Sequence, residues 1–144
     1  MPLQLPLSTE KVFRMTKADP TETTTVTIRQ ASQEAVSSLG DMISRVDRTR
    51  EGDTYTTFFN PAESQLRQVW HTMVACDIEV PGGGKPLFPS KNMGGYHVLD
   101  MTEAQFRKAW NSLPPEWASE IVELMYEQNP MWDYRDRDEE SPKS

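Results

Sequence analysis

A chain of 144 residues can bury roughly two-thirds of the surface its unfolded form exposes, enough for one hydrophobic core and too little for two. Its net charge of −7, from 22 acidic against 15 basic residues with no basic cluster, excludes a phosphate backbone as its natural partner. One cysteine, Cys76, excludes an intrachain disulfide, and no segment approaches the ~18 apolar residues that a membrane-spanning helix needs.

The start MPLQLPLSTEKV has no apolar run long enough for a secretory signal, so the expectation is a soluble cytoplasmic protein. An apolar share of 36% and a mean hydropathy of −0.67 imply solvated stretches beside the core. KVFRMTKADPTETTTVTIRQ (Lys11 to Gln30) holds two short runs with β-branched and aromatic residues joined by an Asp-Pro turn, the pattern of a β-hairpin. In its second arm Val26 and Ile28 alternate with Thr25, Thr27 and Arg29, which predicts one buried and one wet face. SQEAVSSLGDMISRV (Ser32 to Val46) then changes period and places Val36, Leu39, Ile43 and Val46 on one side of a helix that Gly40 weakens. TYTTFF (Thr54 to Phe59) is a candidate third strand.

The next helix is the best specified locally. Asn60 can cap it, Pro61 suits its first position and Glu63 can complete a capping box. Ala62, Leu66, Val69, Trp70, Met73 and Val74 recur at the spacing of a buried stripe, leaving Glu63, Arg67 and Gln68 to water. Pro81 to Val98 carries five of the seven glycines and three of the eleven prolines, which predicts a long loop with at most a small ribbon. After it Thr102 and Gln105 form a second capping box, with Met101 and Phe106 as a hydrophobic staple, so a helix should begin at Glu103. Phe106, Ala109, Trp110 and Leu113 make its apolar face; Pro114-Pro115 ends it and starts another. That last helix carries Trp117, Ile121, Leu124 and Met125 on one stripe, widened by Ala118, Val122 and Tyr126, and Asn129-Pro130 stops it.

The fold these elements predict is α+β and mainly helical: an N-terminal β-hairpin, with a third short strand as a candidate, packed on about four helices. Residues 1–132 form the expected single globular domain, and 133–144 an expected disordered charged tail.

Residues with chemical potential are few. PGGGKP (Pro81 to Pro86) resembles a phosphate-binding loop only superficially, because proline rather than Ser or Thr follows Lys85 and no helix can begin there; a flexible loop is expected. His71, Cys76, Asp77 and His97 lack the spacing of a metal site: His71 and Cys76 would sit about 140° apart on the predicted helix. The carboxylate pairs Asp77/Glu79, Glu116/Glu120 and Asp138/Glu139 fall on predicted polar faces, helix starts or the tail, where solvation rather than acid-base work is expected. No cofactor, no metal and no catalytic residue is therefore expected. Trp70, Trp110 and Trp117 lie inside helical stripes and read as core; Trp132, beyond the helix stop, either clasps the core or offers an anchor to a partner.

Two passages together carry a resemblance. DPTETTTVTIRQAS (Asp19 to Ser32) comes first, and FRKAWNSLPPEWASEIVELMYEQNPMW (Phe106 to Trp132), with W-x2-LPPEWA-x2-I and a closing NPxW, comes at a matching distance. Together they resemble the tail assembly chaperones of long-tailed, siphovirus-type bacteriophages and prophages, small proteins encoded just before the tape-measure protein. About 40 residues carry the similarity, with the helix from Asn60 and KPLF (Lys85 to Phe88) fitting more loosely. The glycine-rich stretch from Gly82 to Gly95 departs from the family pattern by its length. The resemblance implies a non-enzymatic protein of the host bacterial cytoplasm that binds the tape-measure protein, keeps it soluble while the tail tube is built, and then leaves. The tail tube protein is a second candidate partner, and several copies per client or an oligomer are expected. Many family members also exist in a longer, frameshifted form. The rival reading is a structural virion protein, such as a tail-completion or head-tail joining subunit. On the chaperone reading, an apolar groove lined by Trp110, Trp117, Met125 and Trp132 would hold the client's helices. Eight methionines supply adaptable apolar surface for such a role.

Overall fold

The computed structural model describes residues 2–5, 9–38 and 61–133. In chain order these form strands β1 (Lys11–Arg14) and β2 (Thr25–Ile28), a helical stretch α1 (residues 33–38), helix α2 (Pro61–Thr72), and strands β3 (Met73–Cys76), β4 (Ser90–Asn92) and β5 (His97–Leu99). Helices α3 (Glu103–Asn111) and α4 (Pro115–Gln128) follow, with a 3-10 turn at Pro130–Trp132. The strands make two antiparallel sheets, β1-β2-β3 and β4-β5. Among the described residues helix at 41% and strand at 19% make the fold mixed α+β, which corrects the mainly helical expectation. The candidate strand 54–59, the positions Leu39, Ile43 and Val46, and the tail from 134 onward lie outside the described residues. Asp133, assigned to the tail from sequence, is buried and its N–H donates to the Pro130 carbonyl at 3.1 Å. Among the described residues no helix is long and apolar enough to cross a membrane.

One carboxylate organises the hairpin turn. Asp19 accepts the backbone N–H groups of Thr21, Thr23 and Thr24 and also their three hydroxyls, the shortest at 2.6 Å from Thr21 Oγ1. Hydrogen bonds from Thr21 and then Thr24 hold its carboxyl well below the ordinary carboxylate range. The DPTETTT string is thus a pre-satisfied turn, in which short polar side chains replace ladder partners. Val26 and Ile28 point into the core with no exposed surface, as the alternation predicts. Thr27 is buried too, against expectation, because it lies in the middle strand between Val12 and Ala75 in register.

Among the described residues the third strand of the first sheet is β3, which follows α2 directly. The apolar stripe of α2 was expected to run on through Met73 and Val74, but α2 stops at Thr72 and the chain turns directly into β3. Thr72 Oγ1 donates to the Gln68 carbonyl at 2.8 Å, while the Thr72 carbonyl accepts the N–H of Arg29 at 2.9 Å. Pairing with β2 outweighs the local helical pattern, as tertiary context commonly does. Thr27 pairs with Ala75 and Ile28 with Met73, so Val74 is the extra residue of a bulge.

The core is one cluster running from Phe13 and Met15 through Leu66, Val69 and Phe88 to Ile121, Met125 and Tyr126. Phe106 is its hub, with ring centroids 5.2 Å from Trp70, 5.6 Å from Phe88 and 6.0 Å from Trp110. Helix α3 begins where its capping box predicts: Thr102 Oγ1 accepts the N–H of Gln105, and Gln105 Oε1 accepts the N–H of Thr102. Three expected faces are corrected. Ala62 is exposed, and Gln68 is buried because its Oε1 accepts the Tyr126 hydroxyl at 3.0 Å. On α1 Ala35 turns inward and Val36 is 42% exposed, a shift of one position from the assigned stripe.

Helix α4 is bolted to the hairpin by polar side chains along its length. Glu120, expected on a wet face, is buried and accepts the N–H groups of Lys17 at 3.0 Å and Ala18 at 2.8 Å in the hairpin turn. Gln128 Nε2 donates to the Thr9 carbonyl at 2.8 Å, ahead of β1. Asn129 Oδ1 accepts the N–H of Ala31 at 2.7 Å, and its Nδ2 donates to the carbonyls of Arg29 and Met125 at 3.1 and 3.3 Å. The two passages that carry the family resemblance, 19–32 and 106–132, therefore meet in space.

Candidate binding surface

Each residue nominated for a client groove has a definite place. Met125 has no exposed surface and Trp110 has 8%, so both are core side chains and neither lines an open groove. Helix α3 packs its apolar stripe against α2, and α4 packs against α2 and β2, so both stripes are spent on the core. Trp117 and Trp132 are half-buried against the same core. Trp132 thus behaves as a clasp, and its neighbour Met131, 82% exposed, is the apolar side chain in water.

The groups with chemical potential are engaged structurally. Cys76 is buried in β3, and desolvation pushes its thiol up to about 12, far from the thiolate needed for attack. Asp77 Oδ2 accepts the Thr25 hydroxyl at 2.6 Å. His97 donates its backbone N–H to Glu10, and its Nδ1 lies 2.8 Å from Glu10 Oε1, fastening the β4-β5 ribbon to the segment before β1. Among the described residues no three His, Cys, Asp or Glu side chains group as a metal set. The glycine-rich loop is closed rather than open: Val80 N–H donates to the Lys85 carbonyl and Leu87 N–H to the Ile78 carbonyl. Gly82, Gly83 and Gly84 all have positive φ, which explains the run of three glycines as a backbone requirement of the reversal.

A different surface combines exposed apolar side chains with concavity. A hollow of about 520 Å³ is lined by Leu5, Thr9, Glu10, residues 29–33, Tyr96 and His97. A second, of about 270 Å³, has Trp70, Met73, Val74, Val98 and Leu99 beside Arg29, Glu34 and His71. Arg29 lines both hollows, which flank it as two lobes beside the exit of β2, the start of α1 and the β4-β5 ribbon. The bulge residue Val74 is in its second lobe.

Two of the exposed large apolar side chains line this groove. Leu5, 95% exposed, and Tyr96, 39% exposed, are in its walls. Val36 lies one turn beyond the lining residue Gln33, and Met131 is two residues from Asn129, which is bonded to the lining residue Ala31.

The electrostatics of the groove centre on Arg29. Its Nε donates to the His71 carbonyl at 3.0 Å, fixing the guanidinium against the end of α2. Burial, and then the nearby Arg67, lower the His71 pKa, so its imidazole is neutral at pH 7. The sequence held a partial signal for this surface: leucines at 3 and 5 alternate with polar or proline residues in a short extended segment, more apolar than a solvated end requires. Nothing local marked Arg29 or Tyr96. Comparison of the chain with protein families, with curated proteins and with solved structures gives no match.

Proposed function

We propose that this chain is a non-enzymatic tail assembly chaperone of a long-tailed phage or prophage, acting in the host cytoplasm on the tape-measure protein. The observation that carries the reading is the two-lobed groove around Arg29, with Leu5 and Tyr96 exposed in its walls and the aliphatic residues Val74, Val98 and Leu99 in its second lobe. A long helical client presents repeated apolar faces that aggregate when free, and a groove of this kind shields such faces reversibly. Support also comes from the two passages similar to that family, which the Asn129 bonds to Ala31 and Arg29 join to each other. Binding rather than catalysis fits the engaged state of Cys76, His97, Glu120 and Asp19. Several copies would bind along one client, and the tail tube protein would be a second partner.

The deciding experiment is co-expression with the protein encoded next downstream. The client should become soluble and co-purify; a client that stays insoluble and unbound overturns the proposal. Mass spectrometry of purified virions separates the rival structural role, because abundant chain in mature particles would place it in the virion instead.

A further inference from the structure

Resting on the binding role proposed above, we infer that the segment received by this groove carries a carboxylate flanked by aliphatic side chains, and that Arg29 reads the carboxylate. Arg29 is half-buried in the wall common to both lobes. Its N–H donates to the Thr72 carbonyl at 2.9 Å and its Nε to the His71 carbonyl at 3.0 Å, so main chain and guanidinium are both pinned. A guanidinium offers five N–H donors in a planar fork. Among the described residues Nε alone has an acceptor, which leaves the Nη1 and Nη2 edge for the two oxygens of a single carboxylate.

The surroundings make that fork selective. His71 adds no positive charge at neutral pH, so Arg29 is the permanent cation among the residues lining either lobe, while Glu10, hydrogen-bonded to His97, is the acid of the first lobe. The second lobe supplies apolar surface from Val74, Val98 and Leu99 on one side of it. A pinned, partly desolvated cation with unpaired donors gains more from an anionic partner than a solvated one does. Glu34, exposed on α1, is the acid among the residues lining the second lobe and opposes the same ligand weakly through solvent.

The test uses the full chain and three fluorescein-labelled amphipathic peptides of roughly 18 residues, about five helical turns, built from Leu, Ala and Gln. They differ only in a central Glu, Gln or Lys on the apolar-polar boundary, and binding is read by fluorescence anisotropy. The Glu peptide should bind about tenfold more tightly than the Gln peptide, with the Lys peptide weakest, and the preference should shrink at high salt. Arg29→Gln should abolish the preference while keeping apolar binding, Arg29→Lys should retain only part of it, and Glu34→Gln should strengthen the Glu peptide by roughly twofold. Should Arg29→Gln not fold, the peptide series on the wild-type chain and Glu34→Gln decides alone. Equal binding of all three peptides overturns the role of Arg29 and leaves the groove standing; failure of every peptide to bind overturns the groove as well.

Discussion

The two ends of β2 meet very different surroundings. Near its start, polar side chains are spent on structure: Glu120 of α4 is consumed by the two backbone N–H groups of Lys17 and Ala18, and Asp19 by the threonines of the turn. At its exit, around Arg29, the balance is reversed, with Leu5, Tyr96 and Met131 in water and a guanidinium holding donors in reserve. Tryptophans are the usual anchors of interfaces, yet here Trp110 is buried beside Phe106, and of the four tryptophans Trp70, which also packs on Phe106, lines the groove, together with leucine, tyrosine, valine and arginine.

If the helix side is purely structural, its variants should lose stability in proportion to what they uncover. Phe106→Ala removes the hub of the aromatic cluster and should cost about 3–5 kcal/mol in chemical denaturation. Asn129→Ala strands the Ala31 N–H and the Arg29 carbonyl, and about 2–3 kcal/mol is expected, with hydrogen exchange at Ala31 rising before global unfolding. Trp132→Ala should cost roughly 1–2 kcal/mol, since the ring is only half-buried, and should leave client capture intact.

The bidentate Arg107–Glu63 pair, at 2.6 and 2.9 Å, joins α3 to α2 on a surface about one-third exposed, which limits its worth to about 0.5–1 kcal/mol. Arg107 hydrogen bonding holds the Glu63 carboxyl below its ordinary 4.5, so this stabilisation is present above that value and is lost as pH falls through the depressed folded value. The stability gap between wild type and Arg107→Gln should therefore be larger at pH 7 than at pH 3. Tyr96→Ala, on the groove side, should change stability by no more than about 0.5 kcal/mol.

The elements with local determinants were legible in the sequence. The α3 start follows from Thr102 and Gln105, the α3–α4 break from Pro114-Pro115, and the hairpin from Asp19-Pro20 between β-branched runs. What escaped is set by partners distant in the chain. Met73 and Val74 extend the α2 stripe perfectly well until β2 offers a ladder, and Glu120 reads as solvated until the turn at Lys17 and Ala18 presents two N–H groups to it. The groove is harder still, because the N-terminal segment, the exit of β2, α1, α2, β3 and the ribbon each contribute only one to a few residues to it, and no short motif encodes such an assembly.

The most direct test of the claim that the Arg29 groove, rather than the surface around Trp132, is the binding face is client co-purification with Tyr96→Ala and Trp132→Ala measured side by side, each normalised to soluble folded protein. The account predicts that Tyr96→Ala loses most of the captured tape-measure protein at wild-type stability, while Trp132→Ala retains it at reduced stability. Full capture by Tyr96→Ala together with loss by Trp132→Ala would contradict it.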